Sequence, residues 1–459
     1  MTTAVQEAFG ELQERMAELC QNAVDPLEVT AGLEADGIND DGARRYGHGD
    51  VFALAEDLYD QTPRRPPVPD ADEAPWRAVP WRHLLRGVLF GLPGLCFFAA
   101  EPVLARSAAG VLLVLSLLLS WTLSQGTAYL GYVRLGLGNR AAAARVLRYG
   151  LAAGVLVVMP VTALAGAVLA AGTAATALAI GLCGYLLSAM VVQVHSGERR
   201  LFLALMPGAV SVIVYLALHG LGTPQTVPPW VWGSWLTTLL ATVALAIVCT
   251  SGAGRPAGRV ATLRDVVSAL PFAVFGLLTG GLLTFTLLCA IAGRPVPSGA
   301  TTVAVLALSL SMGVAEWILY VYRRRVHDLL RVHTDIGGFA RAARAALAGA
   351  LARYIASLTA LVAAIAPLAG VPLTAATLRI LLGYVGLGGA FFIALVLQAC
   401  GRVGVVLAAS ASALLAEAAS ATGVPGLDPG TVQLVVAAGL LLVLTTYAGA
   451  VLARATSHR

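Results

Sequence analysis

The chain has 459 residues, of which 58% are hydrophobic and only 12% charged, and its mean hydropathy is +0.80. This composition excludes an ordinary soluble domain and predicts a protein that lies within a lipid bilayer. The net charge of +5 is unevenly distributed, because 17 of the 25 acidic residues lie before position 75 and no lysine occurs. A basic body next to a membrane reflects topology more often than nucleic-acid binding, so we expect no nucleic-acid partner.

Residues 1–75 are predicted to form an acidic helical head followed by a Pro-rich linker from Thr62. Ala4–Cys20 has apolar residues at helical spacing, which predicts an amphipathic helix. Asp50 is expected to cap a second helix. The apolar stripe of that helix is Val51, Leu54, Ala55 and Leu58. Because the first apolar run begins only after position 83, we expect no cleavable signal peptide and a head that stays in the cytoplasm.

Twelve apolar stretches follow, each long enough for the roughly 20 residues that a bilayer-crossing helix needs. They cover approximately residues 84–104, 107–132, 147–170, 173–194, 201–221, 229–251, 265–292, 300–322, 348–367, 373–400, 403–422 and 430–453. The chain is expected to enter the bilayer through an interfacial collar of Trp76, Arg77, Trp81, Arg82 and Arg86. If the head is inside, the outer connections receive only Arg106, Arg294 and Arg379. This asymmetry predicts a multi-pass protein of the cell membrane with both termini in the cytoplasm.

An internal repeat organises these stretches. The segment Gly181–Gln193 matches Gly386–Gln398 without a gap, with identical residues at six positions. The same alignment pairs two dipeptides, Arg148-Tyr149 and Arg353-Tyr354. It superposes the third and fourth spans on the ninth and tenth, so the repeat unit is six helices and both halves point the same way, with a cleft between them. A duplicated scaffold without a substrate pathway is the alternative.

The sequence therefore predicts an all-α integral membrane protein of about twelve transmembrane helices. They form two parallel six-helix halves, residues 76–264 and 265–459, behind a small helical head of residues 1–75. We expect the lipid bilayer as its surroundings and no cofactor.

Two further patterns carry a family resemblance. Ser124–Gly126 lies near the middle of span two, and the basic connector Arg134–Arg148 has a counterpart in Gly337–Arg344. With the six-plus-six arrangement, the region 84–453 resembles the multidrug/oligosaccharidyl-lipid/polysaccharide exporter superfamily, nearest to its lipid-linked glycan flippases and Pel-type exopolysaccharide transporters. The resemblance implies a MATE-like fold and alternating access, with the first, second, seventh and eighth spans lining the cavity. The acidic head departs from this pattern, and the one acid of span one, Glu101, lies at its outer end.

Four residues form a candidate substrate pathway. An ionisable group within hydrocarbon is costly, so Glu316, about 10 Å along its helix from the inner interface, is the first candidate. Tyr320 follows one turn later, while Gln125 and Tyr129 fall near the corresponding height of span two. Two polar stripes that face each other across a cleft would suit hydroxyl-rich sugars. Alternatively, Glu316 pairs with an arginine of a neighbouring connector.

Other membrane positions are candidates for the pathway or for gating. Glu417 in span eleven joins the pathway candidates without an identified partner, since Arg379 lies roughly 10 Å higher and is expected to reach the outer surface. Pro93 and Pro271 are predicted to interrupt spans one and seven, and Gly280 lies nearby. Broken helices at corresponding places in two halves indicate a gating or binding region. General tolerance of proline in membrane helices is the alternative.

The basic segment 323–344 is partly amphipathic, which suits it to lie on an anionic leaflet, although topology alone also accounts for its charge. Its candidate lipid contacts are Arg323, Arg324, Arg325, Arg341 and Arg344. His327 and His333 lie on different helix faces, so no metal site is expected with them or with Asp328 and Asp335. No nucleophile–base arrangement occurs, so we expect no enzyme.

Two functions follow as hypotheses. The first is a transporter that exports or flips a polysaccharide or a lipid-linked glycan by alternating access. The second is a non-transporting membrane subunit whose head, residues 1–75, recruits a cytoplasmic synthase or regulator. A small-molecule exporter of the major facilitator type is a lesser alternative.

Overall fold

The computed structural model describes residues 3–23, 25–62, 80–100, 103, 107–219, 226–252, 262–332, 336–423 and 426–452. These residues form helices and no strand. Outside them lie the linker from residue 63 onward and Trp76, Arg77, Glu101, Arg106, His333 and Asp335. The chain divides into two compact units, Met1–Ala78 and Val79–Arg459, which we describe separately.

The described residues of the head form one long and three short helices, and the short helices have side-chain caps at their N-termini. The four helices are α1 Thr3–Asn22, α2 Pro26–Ala35, α3 Asp40–Ala43 and α4 Val51–Gln61, with a 3₁₀ turn at Arg44–Tyr46 between the last two. The Asp50 carboxylate accepts a hydrogen bond from Ala53 N at 2.8 Å, which satisfies one of the free donors at the start of α4. Both the amphipathic first helix and the Asp50 cap are thus confirmed.

The head also has a hydrophobic core of its own. Leu12 and Cys20 of α1 are buried against Leu33 of α2 and Leu54 and Leu58 of α4. Full burial of a leucine side chain contributes about 1.5–3 kcal/mol. The predicted stripe of α4 is buried in this core, so the short helices are held together by contacts within the head.

In the residues that the structure describes, the second unit has twelve long helices. The first six are α5 Pro80–Ala99, α6 Ser107–Gly136, α7 Arg140–Val168, α8 Thr173–Val194, α9 Glu198–His219 and α10 Pro229–Ser251. The last six are α11 Leu263–Ile291, α12 Ala300–Val332, α13 Ile336–Leu368, α14 Ala375–Ala399, α15 Val403–Gly423 and α16 Pro429–Val451. The 11 helices α6–α16 are each long and apolar enough to cross a membrane. Since α5 packs along α9 and α12, it completes a bundle of about twelve helices, as predicted.

The two sets of six helices pack in the same order. In the first half, α6 contacts α7 and α8, α5 contacts α9, and α10 contacts α8 and α9. In the second half, α12 contacts α13 and α14, α11 contacts α15, and α16 contacts α14 and α15. Because six is an even number, α5 and α11 begin on the same side of the bundle. The prediction of two like-oriented six-helix halves is confirmed.

The halves meet along two interfaces, α5 with α12 and α6 with α11. A two-fold exchange of the halves turns one interface into the other, since α5 corresponds to α11 and α6 to α12. We call the ends of these helices near Arg134 the inner ends, after the predicted orientation. The first, second, seventh and eighth spans thus lie between the halves.

Several helices extend beyond the apolar stretches that predicted them. α7 begins at Arg140 and α13 at Ile336, instead of near residues 147 and 348. The arginines of the basic segment therefore belong to the extensions of α12 and α13, and their contact with an anionic leaflet stays a prediction. The physical reason for the longer helices is helix propensity, because Ala, Leu and Arg continue a helix once its apolar part has formed.

Neither predicted proline break is present. Pro93 lies inside the continuous helix α5 and Pro271 inside α11, so the prediction of interrupted helices is wrong at both positions. Neighbouring helices can compensate for the hydrogen bond that a proline removes in a membrane bundle. The irregular turn occurs instead in α7, where Gly154–Val158 is π-helical. The corresponding helix α13 is α-helical throughout.

Candidate functional site

An ion-pair cluster joins the halves near the inner end of the α5–α12 interface. Arg86 Nη1 of α5 donates to Glu316 Oε2 of α12 at 2.9 Å, and His83 Nδ1 lies 3.3 Å from the same oxygen. Arg86 also donates from Nη2 and Nε to Glu198 Oε1 of α9, at 2.7 and 2.9 Å. Arg82 Nη2 lies 3.3 Å from Glu198 Oε2. One guanidinium therefore binds two carboxylates, one from each half.

This arrangement identifies the partner of Glu316. Its partner is an arginine, but not one of a connector, because Arg86 lies within α5 and in the opposite half. Glu198 is buried, so its charge is stable only while Arg86 and Arg82 supply charge-assisted hydrogen bonds.

Aromatic side chains flank the cluster. The rings of Trp317 and Tyr320 stack with centroids 5.6 Å apart, and His83 lies 5.8 Å from Trp317 and 6.1 Å from Tyr320. Tyr132 of α6 is largely exposed and lies within electrostatic range of Arg86. The inner end of the bundle thus presents cationic groups, carboxylates and aromatic faces together.

Two glycines set the close approach of α5 and α12 beside the cluster. A Cβ atom on Gly313 would lie 2.7 Å from Gly87 N and 3.0 Å from Gly87 Cα. The two main chains therefore touch one turn from the ion pairs. A larger side chain at either position would separate the helices and pull Arg86 away from Glu316.

The remaining pathway candidates lie at the other interface. Tyr129 of α6 stacks on Phe272 of α11 with ring centroids 4.1 Å apart, and Gln125 packs its methylenes against Gly276. Gly280, a predicted gating residue, leaves room for a leucine of α6. The stripe of Gln125 and Tyr129 thus faces α11, whereas Glu316 faces α5. Each stripe thus contacts the opposite half across its own interface, and their role in a substrate pathway stays a prediction.

The α6–α11 interface also ends in an ion pair at its inner end. Arg134 Nη2 donates to Asp265 Oδ2 at 2.6 Å. The same oxygen accepts from Thr262 N at 2.7 Å and from its hydroxyl at 2.8 Å, which caps the start of α11. At the outer ends, by contrast, small residues face aliphatic ones, as Gly110 faces Ile291 and Gly94 faces Leu306.

Glu417 and Arg379 do not meet. Arg379 Nη1 donates to Asp428 Oδ2 at 2.9 Å and lies 3.2 Å from Thr431 Oγ1. Its position at the outer end fits the expectation, but the sequence analysis did not identify Asp428 as its partner. Asp428 caps α16, and although partial burial opposes ionisation, the hydrogen bonds from Thr431 and Arg379 lower its carboxyl pKa. Glu417 is fully buried within the second half.

The first half has a half-open cavity of about 400 Å³ between α5, α8, α9 and α10. Its lining is almost entirely apolar and includes Pro93, Cys96, Tyr185, Trp232 and Trp235. Pro93 therefore borders a cavity instead of breaking a helix, and its gating role stays a prediction. The structure shows no group of three or more metal-binding side chains in the ranges it describes.

The sequence analysis missed His83 and Glu198 and assigned Arg82 and Arg86 only to the interfacial collar. A signal was present, since Arg82 and Arg86 lie four residues apart and share one face of a helix. Glu198 was hidden because it follows a turn and starts α9, a place where acidic residues commonly stabilise the helix dipole. Nothing in the sequence pattern links either arginine to Glu316.

No protein-family model matches the sequence, and no curated protein matches it. Two solved structures are similar to the chain. One is described as the inward-facing conformation of a multidrug resistance MATE family transporter of the MOP superfamily; it is 14% identical, with 82% of this chain and 96% of that one covered and a TM-score of 0.42. The other is described as MATE in the bent conformation; it is 13% identical, with 84% and 98% covered and a TM-score of 0.44.

Proposed function

We propose that the chain is a membrane transporter that works by alternating access between its two halves, and that it exports or flips a polysaccharide or a lipid-linked glycan. The observation that carries this proposal is the pair of interfaces between like-oriented halves, each with an ion pair at its inner end. Alternating access needs two bodies that separate at one end while they stay together at the other.

The inter-half ion pairs are suited to repeated opening. The side chains of Arg86 and Glu316 are 24% and 29% exposed, and those of Arg134 and Asp265 are 16% and 27% exposed. Pairs that water can reach contribute only about 0–1 kcal/mol net, so the inner ends can part at low cost. Arg86 also keeps its partner Glu198 in the same half, so it is not left unpaired when Glu316 moves away.

The proposed substrate class is supported by the side chains at the inner end. Arginine recognises phosphate and carboxylate groups through paired hydrogen bonds, and Arg82 is accessible beside the cluster. Trp317 and Tyr320 supply stacked aromatic surfaces next to it. A glycan that carries a diphosphate or an acidic sugar offers an anionic group to the arginine and sugar rings to the aromatic side chains.

Reconstituted vesicles test this function. The probe is a fluorescent polyprenyl-diphosphate-linked disaccharide, and its movement is followed by protection from a membrane-impermeant quencher. Glu316→Gln removes the inter-half charge pair, and we expect about a tenfold slower movement. Glu56→Gln, on the exposed side of α4, is the matched control and should keep the wild-type rate. A Glu316→Gln rate equal to that of the control would remove the ion pair from the mechanism.

The second hypothesis, a recruiting subunit, is favoured by one observation: the head has its own core and forms a separate compact unit. Deletion of residues 1–75 separates the two functions. A transporter with a dispensable head still moves the probe at the wild-type rate. If the intact chain moves no probe, and deletion removes a cytoplasmic protein that copurifies with it, the recruiting role is the better assignment.

A further inference from the structure

A cation–π pair lies at the inner ends of α5 and α9, beside the ion-pair cluster. The guanidinium carbon of Arg199, in the first turn of α9, lies 4.5 Å from the ring centroid of Trp81, in the first turn of α5. Trp81 is 40% exposed, and Arg199 is exposed as well. A guanidinium that stacks on an indole ring uses its face, and the N–H groups at its edge stay available to an acceptor. The pair thus presents a set of hydrogen-bond donors at the surface of the bundle.

Positive charge at this place is only partly neutralised. Glu198 and Glu316, the carboxylates of the cluster, are both bound by Arg86, and Arg82 is a second partner of Glu198. In the part of the chain that the structure describes, no carboxylate forms an ion pair with Arg199. Arg199 also lies at the start of a helix, where a positive charge opposes the helix dipole. Its charge is therefore available to an anionic partner.

Apolar side chains continue from this pair along both helices. Leu84 is 57% exposed and Val88 36% exposed, three and seven residues after Trp81 on the same face of α5. Leu203, four residues after Arg199 on α9, is 68% exposed. The apolar surface reaches about 10 Å beyond Trp81 at 1.5 Å per residue. A cationic and aromatic end followed by an apolar surface matches a phospholipid, whose headgroup phosphate precedes its acyl chains.

The order of these side chains favours a lipid over other anions. Inorganic phosphate would contact the donors of Arg199 and nothing of the apolar surface formed by Leu84 and Leu203. An acidic protein segment would place charged groups against that surface, which is unfavourable. A phospholipid contacts both parts, because arginine and tryptophan lie at the level of the headgroups and leucine at the level of the acyl chains.

We propose that Trp81 and Arg199, with Arg82 next to them, form a binding site for the headgroup of an anionic phospholipid. The phosphodiester accepts hydrogen bonds from the stacked guanidinium, and the acyl chains lie along Leu84 and Leu203. The side chain of Arg82 is 46% exposed and only its Nη2 atom contacts Glu198, so it supplies a second positive charge to the headgroup. The site does not depend on the proposed transport function, because binding is measured without movement of a substrate.

Native mass spectrometry of the full chain in detergent tests the site. The chain is mixed with equal amounts of phosphatidylglycerol and phosphatidylcholine that carry the same acyl chains, and the retained fraction of each lipid is measured. We expect the wild-type chain to retain phosphatidylglycerol preferentially. Arg199→Gln should weaken this binding about tenfold, the value of one charge-assisted hydrogen bond. Trp81→Leu keeps an apolar side chain but loses the cation–π contact, so binding should be about threefold weaker.

Two further variants separate a specific site from general positive charge. Arg353→Gln removes an exposed arginine of α13, whose Nε donates to Gly349 O of its own helix at 2.9 Å, and it should leave binding unchanged. Arg199→Lys keeps the charge but not the planar group that stacks and donates in pairs, so binding should be about threefold weaker. Equal weakening by Arg199→Gln and Arg353→Gln, or wild-type binding by Arg199→Lys, would overturn the proposal. Circular dichroism checks that each variant keeps its helix content.

Competition distinguishes the lipid from other anions. Inorganic phosphate and an acidic peptide, each added in large molar excess, should leave most of the phosphatidylglycerol bound to the wild-type chain. Displacement by phosphate would assign the site to a free anion, and displacement by the peptide would assign it to an acidic protein. Equal retention of the two phospholipids would mean that the contact is general to the bilayer. Each of these three results overturns the proposal.

Discussion

The two halves share one scheme of helix packing, but the first half has an apolar cavity where the second half is tightly packed. In the first half, an added Cβ on Gly184 of α8 would contact Leu239 of α10 at 3.1 Å; in the second, Gly389 of α14 meets Leu441 of α16 at 3.3 Å. The same contact thus recurs in both halves. This recurrence fixes which residues of the two halves correspond.

One turn before that contact the halves diverge. Gly181 has nothing within 4 Å and borders the apolar cavity with Trp235, which lies four residues before Leu239. Gly386 instead packs on Ala437, which lies four residues before Leu441. A large side chain on α10 holds its pair of helices apart, whereas alanine lets α16 close on α14. The duplication thus preserves the helix scaffold, and single side chains decide whether it holds a cavity or a tight core.

The largest effect on stability is expected when Ala437 of the second half is replaced by tryptophan, the residue at the corresponding position, Trp235, of the first half. Ala437→Trp forces an indole into a fully buried position between α14 and α16, and we expect a loss of about 3 kcal/mol or more from overpacking. Thermal unfolding of the purified chain, followed by circular dichroism, measures it. Gly439→Ala, a position with nothing within 4 Å, is the control and should change the midpoint little. An unchanged midpoint in Ala437→Trp would show that the halves do not differ in packing here.

The second-largest effect on stability is expected from the buried carboxyl groups, which differ between the two halves. Glu198 of the first half is bound by arginines, so Glu198→Gln should cost about 2 kcal/mol from lost charge-assisted hydrogen bonds. Glu417 has no such partner, so Glu417→Gln should leave stability nearly unchanged or raise it. The same unfolding assay compares both variants. Equal losses would mean that Glu417 is stabilised by a partner after all.

The smallest effect on stability is expected at the two tyrosines that the internal repeat pairs, Tyr149 and Tyr354. Tyr354 is 2% exposed, its hydroxyl lies 2.9 Å from Ser311 Oγ, and its ring stacks on Phe392 with centroids 5.0 Å apart. Tyr149 is 60% exposed. Tyr354→Phe should therefore cost about 1 kcal/mol, the net value of one hydrogen bond, and Tyr149→Phe close to none. Equal midpoints for the two variants would place both tyrosines in the same environment.

Hydropathy was enough to predict the helix count, because a bilayer imposes a minimum length on every crossing. The internal repeat was enough to predict the six-plus-six arrangement. They did not predict where α7 and α13 begin, since a helix may continue past the apolar part that defines a span. The sequence also did not predict which ion-pair partners connect the two halves. Arg86 and Glu316 are far apart in the chain, and only the packing of α5 on α12 brings them together.

Asp265 contributes both to the contact between the halves and to the stability of a helix end. Its Oδ2 atom closes the capping box of α11 with Thr262 and also binds Arg134 of the other half. Loss of the bridge to Arg134 alone would leave the carboxylate bound to Thr262, where it still caps the first turn of α11. Removal of the carboxylate itself would destabilise that first turn and break the ion pair with Arg134 at the same time. The start of α11 is therefore expected to tolerate loss of the contact with Arg134 but not loss of the Asp265 carboxylate.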